Sequence, residues 1–99
     1  MIKVFHNNNF LSERFSSREN LDISDMKLFD LVAIIATDDL DEAYLLTNSI
    51  DISWFKINSS KFSFSKPARS TSVGDVLAIN EKEYFRVEMI GFKKIEVLF

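Results

Sequence analysis

The side chains best suited to chemistry stand together in one short stretch, Arg69-Ser70-Thr71-Ser72. A guanidinium fork and three hydroxyl groups suit a phosphate, a carboxylate or the backbone of a partner. Connections rich in serine and threonine are more often solvated loops with no ligand, so a structural role stays open beside a binding one. If this end of the molecule binds a ligand or partner, we expect these four residues to make the contact.

Gly74 and Asp75 follow this stretch and predict a turn that leads into a strand. Glycine adopts positive φ angles at little energetic cost, and an aspartate side chain accepts hydrogen bonds from nearby backbone N–H groups. Gly91, the second of two glycines in the chain, interrupts an apolar run in a similar way. These three residues are therefore expected to be structural turn residues.

Two further groups of ionisable side chains do not predict a catalytic or metal site. Helix capping accounts for the carboxylates of residues 38–42, and no second acidic or histidine cluster has matching spacing. His6 is the only histidine, it precedes three asparagines that favour a turn, and no G-x-S-x-G element supplies a serine nucleophile. Since the chain also has no cysteine, we expect no enzyme activity, no metal and no cofactor.

Composition favours a single cytoplasmic domain spanning residues 1–99. With 46% hydrophobic and 27% charged residues the chain can build one core, and its net charge of −3 disfavours the basic face of a nucleic-acid module. The N-terminus lacks the apolar segment of a signal peptide, and the longest aliphatic run, residues 31–36, is too short to span a membrane. We therefore expect no membrane partner.

The elements that must position these residues are short and mostly β. Asp39 followed three residues later by Glu42 resembles a capping box and predicts a helix over about 39–48, whereas residues 10–30 indicate a long connection. The sequence thus predicts an α+β fold, a small curled or barrel-like and mostly antiparallel sheet of five or six strands with one short helix. Alternating or continuous apolar patterns predict the strands at residues 1–5, 31–37, 61–66, 76–80, 84–90 and 94–99.

Trp54, the only tryptophan, lies in residues 50–57, where the apolar pattern is ambiguous. Aromatic rings of this size are usually packed in the core, but partly exposed ones act as anchors at protein interfaces. The thirteen percent aromatic content is enough for both uses. Trp54 is thus a second candidate for contact with a partner protein.

Residues 31–95 resemble small proteins of bacteria, phages and plasmids, including the YodL-like domain. The resemblance is carried by "RSTSVGDV" at residues 69–76, by Gly91-Phe92, and by the strand and acidic-capped helix that precede them. It implies a small cytoplasmic accessory protein with no known cofactor, linked with mobile elements. A partner protein in host or defence machinery is the expectation that follows for a phage-encoded member, and the chain would act on it as an inhibitor or modulator.

The C-terminal part also resembles, less closely, the compact barrels of ASCH and PUA type, in which a Gly-Asp turn precedes a hairpin strand. This likeness implies a nucleic-acid or modified-nucleotide ligand bound at residues 69–72. Lys66, Arg69, Lys93 and Lys94 would then gather into a basic patch. Contact with another protein and binding of nucleic acid are therefore the two leading functional hypotheses. A hydrolase or nuclease that uses His6 or Asp39 is a third.

Overall fold

The computed structural model describes residues 1–7, 20–22, 27–48 and 61–98. These residues form seven strands and one helix, so the predicted α+β class with a mostly antiparallel sheet and a short helix is confirmed. The described part of the chain contains no helix with the length and apolar composition to cross a membrane. In chain order the elements are β1 (Ile2–Asn7), β2 (Asn20–Asp22), β3 (Phe29–Ile35), α1 (Leu40–Thr47), β4 (Phe62–Ser65), β5 (Val76–Ile79), β6 (Glu83–Val87) and β7 (Phe92–Leu98).

The sheet is open, with the strand order β2-β7-β6-β5-β1-β3-β4, and does not close into a barrel. Every pairing is antiparallel except that of β2 with β7, which is parallel. The N-terminal strand β1 lies between β3 and β5, with Val4 opposite both Ala33 and Leu77. A strand from the start of the chain therefore joins its two halves.

Buried side chains form two clusters, and alternate residues of β5 divide between them. Leu77 packs with α1 on one face, whereas Val76 and Ala78 pack with Phe29 and Tyr84 in the second cluster. Because successive side chains of a strand point to opposite faces, both faces of the central sheet are apolar. This explains why the sequence of β5 is a continuous apolar run with no polar alternation.

Helix α1 begins and ends where the sequence predicts. The Asp39 side chain caps its N-terminus by accepting hydrogen bonds from the backbone N–H of Asp41 at 2.9 Å and of Glu42 at 3.3 Å. The other bond of the predicted capping box, from the Asp39 N–H to the Glu42 side chain, is wrong. The Asp39 N–H donates to Thr37 Oγ1 instead, and Glu42 pairs with Lys61. An acidic first turn still complements the positive end of the helix dipole.

Three predicted boundaries are corrected by the structure. His6 and Asn7 continue β1 and do not begin a turn, because both pair with β3, His6 Nε2 bonds with Thr71 and the Asn7 N–H donates to Asp75. Residues 10–30 include the strand β2 and the start of β3, where pairing with β7 and β1 outweighs weak local patterns. Strand β6 ends at Val87, short of the predicted residue 90.

The hairpin between β5 and β6 turns through two residues of positive φ. Asn80 has φ 51° and Glu81 has φ 59°, and the Lys82 N–H donates to the Ile79 carbonyl at 3.0 Å. Paired positive φ angles match the right-handed twist of the flanking strands. Asparagine tolerates this conformation, whereas glutamate is strained in it.

We therefore expect Glu81→Gly to be more stable than Glu81→Ala by about 1 kcal/mol. Both substitutions remove the carboxylate that pairs with Lys3. The difference between their free energies of unfolding therefore measures the cost of the positive φ angle alone. Urea unfolding with unchanged m-values measures it. An alanine variant as stable as the glycine variant would contradict the strain at this turn.

Candidate functional site

A buried carboxylate, Asp75, organises the polar residues at the end of β5. Its side chain is 1% exposed and accepts four hydrogen bonds. Oδ1 accepts from the Asn7 backbone N–H at 2.8 Å and from Arg69 Nη2 at 2.8 Å. Oδ2 accepts from Arg69 Nη1 at 2.7 Å and from the Ser72 backbone N–H at 2.8 Å. Asp75 thus fixes strand β1 and the loop before β5 to one another.

The guanidinium of Arg69 is bound within the chain. It forms a two-pronged pair with Asp75 and also donates to the carbonyls of Asn7 and Ser70, both at 3.0 Å, and to Ser72 Oγ at 3.2 Å. The hydrogen bond to Asp75 raises the pKa of Arg69, so the group stays charged. Arginine suits this position because its planar fork matches both oxygens of a carboxylate.

Gly74 gives the loop the shape that this pairing needs. It has φ +95°, a conformation that other residues rarely adopt. Its N–H donates to the Val87 carbonyl at 2.9 Å, and the Val87 N–H donates back to the Asp75 carbonyl at 2.8 Å. The turn is therefore bonded to the end of β6. Gly91, with φ +73°, lies in the turn that follows β6.

Thr71 is fully buried and belongs to a chain of hydrogen bonds that links the sheet to α1. Thr47 Oγ1 donates to the Ala43 carbonyl at 2.9 Å, and Thr71 Oγ1 donates to Thr47 Oγ1 at 2.8 Å. Because each hydroxyl has one proton, Thr71 must accept from His6 Nε2, which lies 2.8 Å away. The geometry thus assigns the proton of neutral His6 to Nε2.

His6 is completely buried and stays neutral. Burial lowers its pKa from 6.5 to about 4, with Asp75 acting in the opposite direction and Arg69 adding to the lowering. The 3.8 Å separation of His6 Nε2 from Asp75 Oδ2 is therefore not an ion pair near neutral pH. The buried, neutral imidazole donates to Thr71 and so links β1 to the loop before β5.

The structure brings some of the predicted site residues together and separates others. Arg69 and the Ser72 backbone bind Asp75, and Ser70 accepts from Arg69 through its carbonyl. Thr71 instead points inward, and its hydroxyl bonds with Thr47 in the core. Binding of a ligand by this stretch stays a prediction. Trp54 lies outside the described residues, and the described residues contain no group of three His, Asp or Glu side chains arranged to hold a metal.

Sequence reasoning missed the partners of this network, above all His6 and Thr47. A signal for His6 does exist, because Ile2, Val4 and His6 repeat every second residue and so share one face of β1. Helical spacing places Thr47 on the same face of α1 as Ala43. No local pattern indicates its partner Thr71, whose N–H donates to the Thr47 carbonyl at 2.8 Å across 24 residues.

Comparisons of the chain with protein-family models, with curated proteins and with solved structures found no match.

We expect Asp75→Asn to lower the free energy of unfolding by about 2 kcal/mol, because the amide NH2 cannot accept the hydrogen bonds that one carboxylate oxygen takes from Arg69 and a backbone N–H. Ser72→Ala is the matched control. It removes one exposed hydroxyl but keeps the backbone N–H, so its effect should stay within about 0.5 kcal/mol. Urea unfolding measures both. An asparagine variant as stable as the control would show that the pair does not hold the loop.

His6 makes stability depend on pH in a defined window. Its unfolded pKa lies near 6.5 and its folded pKa near 4, so between these values the unfolded chain binds a proton that the folded chain does not. The free energy of unfolding therefore falls as the pH falls below 6.5, by about 3 kcal/mol in total at pH 4.

The conservative variant His6→Gln removes this titration while keeping a side-chain amide donor. Its free energy of unfolding should fall less steeply than that of the wild type between pH 6.5 and 4. Carboxylates titrate in both proteins and cancel in the difference. Equal slopes, measured by urea unfolding at a series of pH values, would contradict the assigned pKa.

Proposed function

We propose that this chain is a non-enzymatic binding protein that acts by contacting another protein through the tip of the β6–β7 hairpin. The observation that carries the proposal is the exposure of two large apolar side chains at that tip. Met89 is 90% exposed and Ile90 is 94% exposed. Turn tips are normally polar, and exposed apolar residues in neighbouring positions mark interaction sites.

The tip is held in place by its own turn. The Glu88 N–H donates to the Gly91 carbonyl at 3.0 Å, and Val87 pairs with Phe92 across the hairpin. Met89 and Ile90 therefore occupy the two central positions and project from the sheet. An apolar pair fixed on a hairpin loses little conformational entropy when it is buried against a partner.

The geometry gives the stretch 69–72 a smaller part in this proposal. The Arg69 fork is bonded to Asp75 and the Thr71 hydroxyl is buried. Binding of nucleic acid at these residues would require the guanidinium to leave a buried carboxylate, which is costly. Protein contact at the hairpin tip requires no rearrangement, and we favour it for that reason.

We further propose that the chain is an accessory protein of the kind encoded by phages and mobile elements, with a protein of host or defence machinery as its partner. The resemblance of residues 69–76 and 91–92 to such proteins supports this assignment. The small size of the chain suits inhibition or modulation by occupying a partner's surface. A cytoplasmic setting is part of the same proposal.

Affinity purification from a lysate of the source cells tests the proposed contact. The tagged wild type, a Met89→Ser, Ile90→Ser double variant and a Leu28→Ser control are compared, since Leu28 is an exposed aliphatic residue outside the tip. We expect a stoichiometric protein that the wild type and the control retain and the double variant loses at least tenfold, equivalent to about 1.4 kcal/mol.

Two outcomes of this purification would overturn the proposal. One is equal recovery of every protein by the wild type and the double variant. The other is recovery of nucleic acid alone, which would instead favour the ASCH- and PUA-like hypothesis. Because the substituted side chains are almost entirely exposed, loss of binding cannot be attributed to unfolding, and a urea titration of each variant verifies this.

A further inference from the structure

The hairpin tip borders a cavity of about 140 Å³ between α1 and the turn that closes β6 and β7. Asp41 and Tyr44 line it from the helix, and Glu88, Met89 and Phe92 line it from the hairpin. The Tyr44 and Phe92 rings meet edge to face with their centroids 6.1 Å apart. Both rings line the cavity and hold each other in place, so the cavity is formed before any partner binds.

The cavity has room for one side chain, and its lining is mixed, with Tyr44, Met89 and Phe92 beside polar groups. A volume of about 150 Å³ accommodates a benzene ring, and aromatic and aliphatic side chains are comparable in bulk. Met89 is one of the lining residues, and Ile90 is its exposed neighbour in the turn. A partner side chain placed in the cavity would therefore contact the tip through Met89.

The charge at the rim is negative. Among the described residues, Asp41 and Glu88 line the cavity together with uncharged residues, and none of these lining residues is basic. Asp41 is exposed and forms no ion pair within the described residues, whereas Glu88 accepts from Arg86 at 3.0 Å through Oε1. A basic group on the partner could pair with the exposed carboxylate of Asp41. At Glu88 only Oε1 is engaged by Arg86, which leaves Oε2 as a second acceptor.

We infer that the partner of this surface is a protein segment in which one large apolar residue stands next to lysine or arginine. The inference rests on the proposed function, since it describes what the hairpin tip contacts. The apolar residue contacts Met89, Tyr44 and Phe92 at the cavity, and the basic residue pairs with Asp41. An anionic lipid surface fits the same apolar tip less well, because the two rim carboxylates repel it.

Selection of random peptides displayed on phage tests this inference without a known partner. Enriched sequences should combine an aliphatic or aromatic residue with a neighbouring Lys or Arg. Fluorescence anisotropy then measures the affinity of an enriched peptide for each variant. We expect at least a tenfold loss for Met89→Ser, Ile90→Ser, corresponding to about 1.4 kcal/mol, and about a threefold loss for Asp41→Asn.

Controls and salt separate the two parts of the site. Glu83→Gln changes an acidic residue elsewhere, in the pair with Lys94, and Leu28→Ser changes an exposed aliphatic residue elsewhere. Both should bind as the wild type does. Affinity for the wild type should weaken as salt rises, and Asp41→Asn should reduce that dependence.

The failure of this inference differs from failure of the proposed function. Enriched peptides without basic residues, or unchanged binding by Asp41→Asn, would overturn the inferred partner chemistry while lysate capture through Met89 and Ile90 still stood. Binding to phosphatidylcholine and phosphatidylserine vesicles through Met89 and Ile90, with no peptide enriched, would replace the peptide with a lipid surface. Peptide binding and lysate capture that are unchanged in the Met89→Ser, Ile90→Ser variant would overturn both proposals.

Discussion

The buried carboxylate of Asp75 is the constraint on which this end of the molecule depends. A charge enclosed by protein needs hydrogen-bond donors, since an unpaired one costs several kcal/mol. Asp75 meets this need with two backbone N–H groups and both prongs of Arg69. These donors come from two segments, strand β1 and the loop at residues 66–75, which share no strand pairing. The carboxylate thereby fixes a loop without secondary structure against β1.

The hydrogen-bond chain from His6 extends this order to the helix. Helix α1 has eight residues, of which only Ala43 and Thr47 are buried, so its apolar contact with the sheet is narrow. Thr71 compensates by binding Thr47 through both its hydroxyl and its backbone N–H. Asn48 adds a bond from its side-chain amide to the Thr71 carbonyl. A helix too short to be stable alone is in this way positioned by directional bonds as well as by packing.

Features that depend on neighbours in the chain were predicted from the sequence, whereas the hydrogen bonds between distant residues were not. The helix cap at Asp39 and the apolar run of β5 depend on neighbours in the chain, so their local patterns suffice. His6 was expected in a turn because the asparagines that follow it favour one. Its burial depends on Thr71, 65 residues away, and no local pattern reports that distance.

The hairpin tip was missed for the opposite reason. The sequence continues its apolar alternation through Met89, and alternation predicts a buried strand face. Gly91 instead closes a turn that takes both apolar residues out of the sheet. The same apolar residues can therefore lie in the core or on the exposed surface, and the position of the turn decides between the two. The short strand β2 was missed because its three residues pair with β7 and carry too little pattern of their own.

The central position of β1 has a consequence for the newly made chain. Ile2 pairs with Ile79, and at about 5–20 residues per second roughly 4 to 15 s separate the synthesis of these two residues. During that interval β1 has at most one of its two neighbours, and its apolar face and one hydrogen-bonding edge stay open. The sheet is completed only after β5, β6 and β7 have been synthesised, and until then the open edge of β1 can pair with another chain.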